Sequence, residues 1–334
     1  MAHSSLFCLA NRGQRNPLFC GRNNKRNCVN KSKPLHIATW NIRTLLNSKD
    51  PRSITVERRT AVIGKELKRC NIDIASLQET HLKECGKLIE QDAGYTFMYS
   101  GCDENDANHY GVAIAVRTDL IKKGLISEPT CYNDRLMTIQ VYGENSKTTI
   151  ICCYAPTLTA PEPIKELFYE HLGRIVGNVT KGDNIIIAGD MNARIGRSNC
   201  LWENIIGKHG VGQQNANGLQ LLQFCSQYNL RVMNTFFQQK NIHKYTWQHP
   251  RSKQWHLLDY IIVRSHRSKN VLRCKVMRSA QCETDHRLVR AAIRFTRTIR
   301  KYANTKKPTV FDVRQLQDQD TRQRFQNKLE SQEL

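Results

Sequence analysis

The chain has 334 residues, 40% apolar and 7% aromatic, enough for a sizeable core in one large α/β domain or two smaller ones. No stretch approaches the roughly 18 consecutive apolar residues of a membrane span, and a short apolar start followed by Arg12, Arg15 and Arg22 does not fit a secretory leader. Lys and Arg number 51 against 29 Asp and Glu, a formal charge of +22, which suits a polyanionic partner, most simply nucleic acid, because phosphate neutralisation releases counterions.

Residues 1–33 hold seven Lys/Arg and no acid and read as a disordered basic arm. Order is expected from Leu35-His-Ile-Ala-Thr-Trp40 onward. Short β-rich runs follow at Ile72–Leu77, Val112–Val116, Met137–Val141, Thr149–Tyr154, Asn184–Ala188 and Leu257–Val263, each the length of a strand buried on one or both faces. Between them, helical spacing of apolar residues predicts helices over 55–70, 163–176 and 217–228. The body, 34–293, is itself +10, and a basic polar tail from 296 carries a further expected helix over 315–329. The domain reading is therefore an arm (1–33), an α/β domain (34–295) and a tail (296–334).

Thirteen cysteines show no CxxC pair. Cys152 and Cys153 sit side by side in an apolar run, where strand neighbours point to opposite faces, so they read as small hydrophobes. The pattern fits a reducing compartment rather than a disulfide framework or a zinc site.

Polar residues at the ends of the apolar runs carry the chemistry. Asn41 follows Trp40; Gln78 and Glu79 follow Leu77; Asp190-Met-Asn192 ends the Ile185–Gly189 run; Asp259 lies inside Leu257–Val263; Glu283-Thr-Asp285-His286 precedes Leu288–Ile293. Carboxylates embedded among apolar residues need a cation or dense hydrogen bonding. Any one of them is most simply a cap or turn residue. Five together, with hard oxygen donors and no Cys/His cluster, point to Mg²⁺ or Mn²⁺, and with a basic surface they suit phosphodiester hydrolysis.

Trp40-Asn41, Leu77-Gln-Glu-Thr80, Tyr154-Ala-Pro156, Gly189-Asp-Met-Asn192, Leu258-Asp-Tyr260 and Thr284-Asp-His286, in this order, resemble the endonuclease/exonuclease/phosphatase superfamily. Gly207-Lys-His-Gly210, Asn215-Ala-Asn-Gly218, Met233-Asn-Thr-Phe236 and Tyr245-Thr-Trp247 resemble its branch in non-LTR (LINE-type) retrotransposons. The resemblance implies a four-layer α/β sandwich, two packed mixed β-sheets flanked by helices, and a Mg²⁺-dependent DNA endonuclease leaving 3′-hydroxyl and 5′-phosphate ends. It further implies metal binding by Glu79, Asn41 and Asp285, water activation by Asp190, and phosphate stabilisation by Asn192 and Tyr154. Asp259 and His286 match an Asp–His pair. Arg135, Arg194 and Lys208 are candidate phosphate contacts. DNA is the expected partner, with no membrane and no obligate protein partner, and the nucleus the expected compartment. A lipid or inositol phosphate substrate in the same fold, or a catalytically retired binding protein, are the rival readings.

Overall fold

Strands buried on both faces are near-continuous apolar runs, and this chain strings them into two sheets. The computed structural model describes residues 33–47, 57–103, 110–143, 147–198, 200–295 and 318–330. In chain order the elements are β1 (Leu35–Asn41), α1 (Arg59–Arg69), β2 (Ile74–Gln78), β3 (Cys85–Glu90), β4 (Tyr95–Ser100), β5 (Val112–Arg117), α2 (Thr118–Lys122), β6 (Thr130–Asn133), β7 (Leu136–Tyr142), β8 (Lys147–Tyr154), α3 (Glu162–Asn178), β9 (Asn184–Asp190), α4 (Ala216–Gln227), β10 (Leu230–Val232), β11 (Trp247–Gln248), β12 (Trp255–His256), β13 (Asp259–Arg264), β14 (Val271–Met277), β15 (Leu288–Ile293) and α5 (Gln319–Glu330). The expected basic arm lies outside the described residues save Lys33.

One sheet runs β14-β15-β1-β2-β5-β4-β3 and the other β10-β13-β9-β8-β7-β6, with a small β11-β12 hairpin beside them. Only β1–β2 and β8–β9 pair in parallel among the described strands. Each parallel pair is bridged by a helix, α1 or α3, as a parallel connection requires.

Strand alternation sorts the core into three apolar layers. Ile37, Ile74, Ile114, Ile150, Ile186 and Ile261 face the space between the sheets. The opposite faces of the same strands send Trp40 and Leu77 against Ile63 and Leu67 of α1, and Ile151 and Ile187 against α3 and α4. This is the expected sandwich: helix, sheet, sheet, helices. Cys152 falls in the inner layer and Cys153 in the outer one, both fully buried, so the two do behave as small hydrophobes.

Caps and close approaches fix the ends. Pro161 and Pro163 bracket the start of α3, where a missing N–H costs nothing. Asn215 caps α4 by accepting the Gly218 N–H at 2.8 Å, and the same oxygen accepts the Arg194 N–H. At Gly189 a Cβ would sit 2.1 Å from the Cys153 carbonyl, so only glycine lets β9 close on β8 one residue before Asp190.

The described part of the expected 55–70 helix starts at Arg59, and the 257–263 strand starts at Asp259. Five strands of the two large sheets, β3, β4, β6, β10 and β14, are not among the expected runs; β4 lies inside its sheet and the other four are sheet edges. An edge strand needs only one apolar face or none, so Cys85-Gly-Lys-Leu-Ile-Glu90 and Thr130-Cys-Tyr-Asn133 carry no run to read.

Candidate active site

All four parallel strands end at the same rim of the sandwich. Strand β1 ends in Asn41, β2 in Gln78 followed by Glu79, β8 in Tyr154 and β9 in Asp190. Carboxyl ends of parallel strands are where α/β sheets open a crevice. Period-two alternation from Ile37, Ile150 and Ile186 puts Asn41, Tyr154 and Asp190 on the inner faces. Two antiparallel neighbours complete the rim: Asp259 begins β13 directly opposite Asp190, and His286 precedes β15, which pairs with β1.

The ends of β1 and β9 are built alike. Asn41 Oδ1 accepts the Arg43 N–H at 3.1 Å, and Asp190 Oδ1 accepts the Asn192 N–H at 2.9 Å. Each is an Asx turn, and each third residue is left-handed, Arg43 at φ 63° and Asn192 at φ 45°. One oxygen is thereby fixed on the backbone, and the remaining groups face each other across the sheets. Asn41 Nδ2 donates to Asp190 Oδ2 at 3.1 Å and to Glu79 Oε1 at 2.8 Å.

Glu79 is itself left-handed, at φ 57°, a strained state for a residue with a side chain. Neighbouring bonds hold it: Thr80 N–H donates to the Gly111 carbonyl, and Gly111, at φ 110°, lies where a Cβ would meet Thr80 Oγ1. Tyr154 hydroxyl also donates to Glu79 Oε1, at 2.8 Å. Burial and the charges of Glu79 and Asp190 push the Tyr154 pKa up, so it stays a donor.

Asp190, Asp259 and His286 form the inner part. His286 Nδ1 lies 3.0 Å from Asp259 Oδ2, and its Nε2 lies 3.8 Å from Asp190 Oδ2, with all three residues buried. Burial alone would lower the imidazole pKa. The charge of Asp259, the hydrogen bond to it and the charges of Asp190 and Asp285 outweigh burial and push it up to about 9. Burial and the Asp259 charge push the Asp190 carboxyl up to about 7, against the pull of His286, the Asn192 N–H and Asn41. A carboxyl near 7 is suited to taking a proton from water at neutral pH.

Not every sequence-predicted residue reaches this centre. Asn192 donates one amide hydrogen to the Ala155 carbonyl at 2.9 Å, keeping its second donor. Asp285 is turned to Trp247, whose indole N–H donates to it at 2.9 Å, and to Arg43 at 3.9 Å. Arg135 stands on the rim, donating to the Tyr154 carbonyl at 3.3 Å and stacking 3.9 Å over the Tyr110 ring. Arg194 and Lys208 form no hydrogen bond or ion pair with the cluster among the described residues; Lys208 is exposed. Beside His286 opens a cleft of about 770 Å³, lined in part by Arg43, Lys253, Arg278 and Arg287.

Several positioning residues were not assigned from the sequence. Thr246 Oγ1 accepts the Leu258 and Asp259 N–H groups, and Asn234 clasps the Asp259 carbonyl and the Ile261 N–H. Thr284 Oγ1 donates to the Asn41 carbonyl at 2.8 Å while accepting the His286 N–H, and Trp40 Nε1 donates to the His286 carbonyl. All four lie inside motifs already quoted. Their roles are side chain to backbone bonds, spanning 12 to 27 residues for Thr246 and Asn234 and more than 240 for Thr284 to Asn41 and for Trp40, which no local pattern encodes.

Two places offer ligand atoms for a cation. Asp190, Asp259 and His286 bring three within 4.8 Å of one another. The charges of Asp259 and Asp190 favour the imidazolium form of His286, so the trio is ion-paired, and a cation there would have to displace a proton before an imidazole nitrogen could ligate it. Glu79 is different. Both of its hydrogen bonds fall on Oε1, leaving Oε2 of this half-buried residue as a hard, anionic oxygen suited to a divalent ion.

The Endonuclease/Exonuclease/phosphatase family model matches residues 38–286. Craniofacial development protein 2 of Bos taurus is 32% identical over 258 residues, covering 77% of this chain; the chain spans only 40% of that relative's length. Among solved structures, the endonuclease domain of TRAS1, a telomere-specific non-LTR retrotransposon, aligns with TM-score 0.52 at 15% identity, over 79% of this chain and 100% of that one. The 3′-5′ exonuclease NExo from Neisseria meningitidis aligns with TM-score 0.55 at 19% identity, over 78% and 100%. At these identities the structural likeness speaks for the fold.

Proposed function

The chain belongs to the endonuclease/exonuclease/phosphatase family, and from that premise we propose that it is a Mg²⁺-dependent DNA endonuclease of LINE-type ancestry acting in the nucleus. It nicks a phosphodiester by direct attack of water, leaving a 3′-hydroxyl and a 5′-phosphate. The observation that carries this reading is the meeting of Glu79, Asp190, Asp259 and His286, drawn from both sheets, at one rim.

Glu79, with Asn41 beside it, holds the cation. When bound, Mg²⁺ polarises the scissile phosphate and offsets its growing charge. Asp190 takes the proton of the attacking water. Asn41 and the backbone N–H of Asn192 hold the Asp190 carboxylate in place for that task, and Asp259 orients His286. The imidazolium faces the developing negative charge on phosphate and the free amide hydrogen of Asn192 adds a neutral donor there, while the Tyr154 hydroxyl, its one hydrogen given to Glu79, steadies that carboxylate. DNA as partner is supported by the +22 charge and by the basic residues lining the cleft next to His286. Among the described residues no helix is long and apolar enough to cross a membrane.

Nicking of supercoiled plasmid tests the reading, with Mg²⁺ or EDTA, comparing wild type, Glu79→Ala and His286→Ala. Mg²⁺-dependent nicking in the wild type and a fall in both variants of several kcal/mol in transition-state stabilisation, about 10³-fold, is expected. Equal nicking by all three overturns it. Salt-sensitive DNA binding without nicking identifies a retired nuclease, and turnover confined to a lipid or inositol phosphate a different substrate class.

A further inference from the structure

The two sheets also meet at a seam where sulfur comes together. Strand β3 is the edge of one sheet and β6 the edge of the other. Leu88 and Glu90 of β3 face the α1 layer, where Glu90 accepts the Thr60 hydroxyl. Alternation therefore turns Cys85, Lys87 and Ile89 to the other face, on the side of the second sheet, where all three remain exposed. Lys87 confirms the direction by pairing with Glu128, just before β6, at 3.5 Å.

Cys85 stands opposite Ser100 in register, with its Sγ 3.6 Å from Ser100 Oγ. That hydroxyl donates across the seam to the Asn133 carbonyl at 2.7 Å. On β6, Cys131 pairs with Met137, a residue of the inter-sheet layer, and its Sγ lies 3.8 Å from the Tyr99 carbonyl. The two thiols thus reach the same Tyr99–Ser100 segment from opposite sheets. They feel each other: burial, then the Cys85 thiol, pushes the Cys131 pKa up to about 11. Cys85 is exposed and Cys131 half-buried, so an oxidant reaches the first while the second stays at hand.

We propose that Cys85 and Cys131 are a peroxide-responsive thiol pair that closes to a disulfide across the seam between the sheets. Hydrogen peroxide oxidises the exposed Cys85 thiol to a sulfenic acid, its O–O bond breaking and one water leaving. The Cys131 sulfur then attacks that sulfur, the S–S bond forms, and the sulfenic oxygen departs as a second water with the Cys131 proton. Two electrons pass from the two thiols to one peroxide. Strand β3 follows Glu79 and β6 precedes Arg135, so the bond links the segments that carry two rim residues. This pair does not depend on the nuclease reading.

Peptide mapping under non-reducing conditions tests the pair on the full chain after peroxide treatment and alkylation. A Cys85–Cys131 cross-linked peptide that dithiothreitol dissolves is expected, with a raised thermal midpoint of the oxidised wild type. In Cys131→Ser the same treatment carries Cys85 on to sulfinic acid with no rise in midpoint, and Cys85→Ser leaves Cys131 reduced. Sulfinic acid at Cys85 in the wild type without the cross-link, or cross-links shared indifferently among the thirteen cysteines, overturns the proposal.

Discussion

Glu79 and Asp259 are carboxylates at the same rim, yet the fold treats them oppositely. Asp259 is fully buried, is hydrogen-bonded to an imidazolium through Oδ2, and has its Oδ1 without a partner among the described residues. Glu79 sits half-exposed on a strained turn and receives only neutral donors, an amide and a phenol, both on one oxygen. A charge paired inside is spent on orienting its partner; a charge held by neutral donors at a mouth keeps its attraction for a cation. The difference separates the two kinds of work the site needs.

Removing the buried charge breaks the comparison hardest. Asp259→Ala leaves the buried His286 without its nearest carboxylate, and loss of one partner of a buried pair costs about 3–5 kcal/mol of stability. Chemical denaturation should show that loss, while Glu79→Ala unfolds at nearly the wild-type denaturant concentration. Equal losses in the two variants would erase the distinction.

Next comes pH. The folded His286 value of about 9 lies above its ordinary 6.5, so its stabilising charge is complete below 6.5 and is lost as pH rises through 9. Asp190 must ionise to act, so nicking should climb through about pH 7 and decline above about 9, with bound cation drawing the lower limb down. In His286→Ala the alkaline limb should vanish from the residual activity; its persistence would assign that limb to another group.

A smaller effect sharpens the Glu79 side. Tyr154→Phe deletes one of two donors on Oε1, worth about 1–2 kcal/mol, or roughly tenfold in activity, with the pH limbs unmoved. A shift of either limb would mean that Tyr154 belongs to the ionising unit instead.

Much of this was legible in the residues. Asn41, Glu79, Tyr154 and Asp190 are polar residues ending apolar runs, and apolar runs are what a doubly buried parallel strand looks like. Asp259 stood out as an acid inside such a run. The edge strands were not legible, since β3 and β6 bury too little to need a pattern. Asp285 was placed near a metal by the resemblance of the Thr284-Asp-His286 motif, and in the fold the Trp247 indole, contributed by the β11–β12 hairpin, donates to its Oδ2. Sequence adjacency could not reveal a competitor 38 residues away. Thr246 and Thr284 were invisible for the same reason: a hydroxyl bonding a backbone is silent until the fold supplies that backbone.

Manganese binding followed by electron paramagnetic resonance tests most directly the claim that the mouth holds the cation and the buried trio does not. One site is predicted in the wild type, retained in His286→Ala and abolished in Glu79→Gln. Binding that survives Glu79→Gln but disappears in His286→Ala would put the ion on the trio and contradict the account.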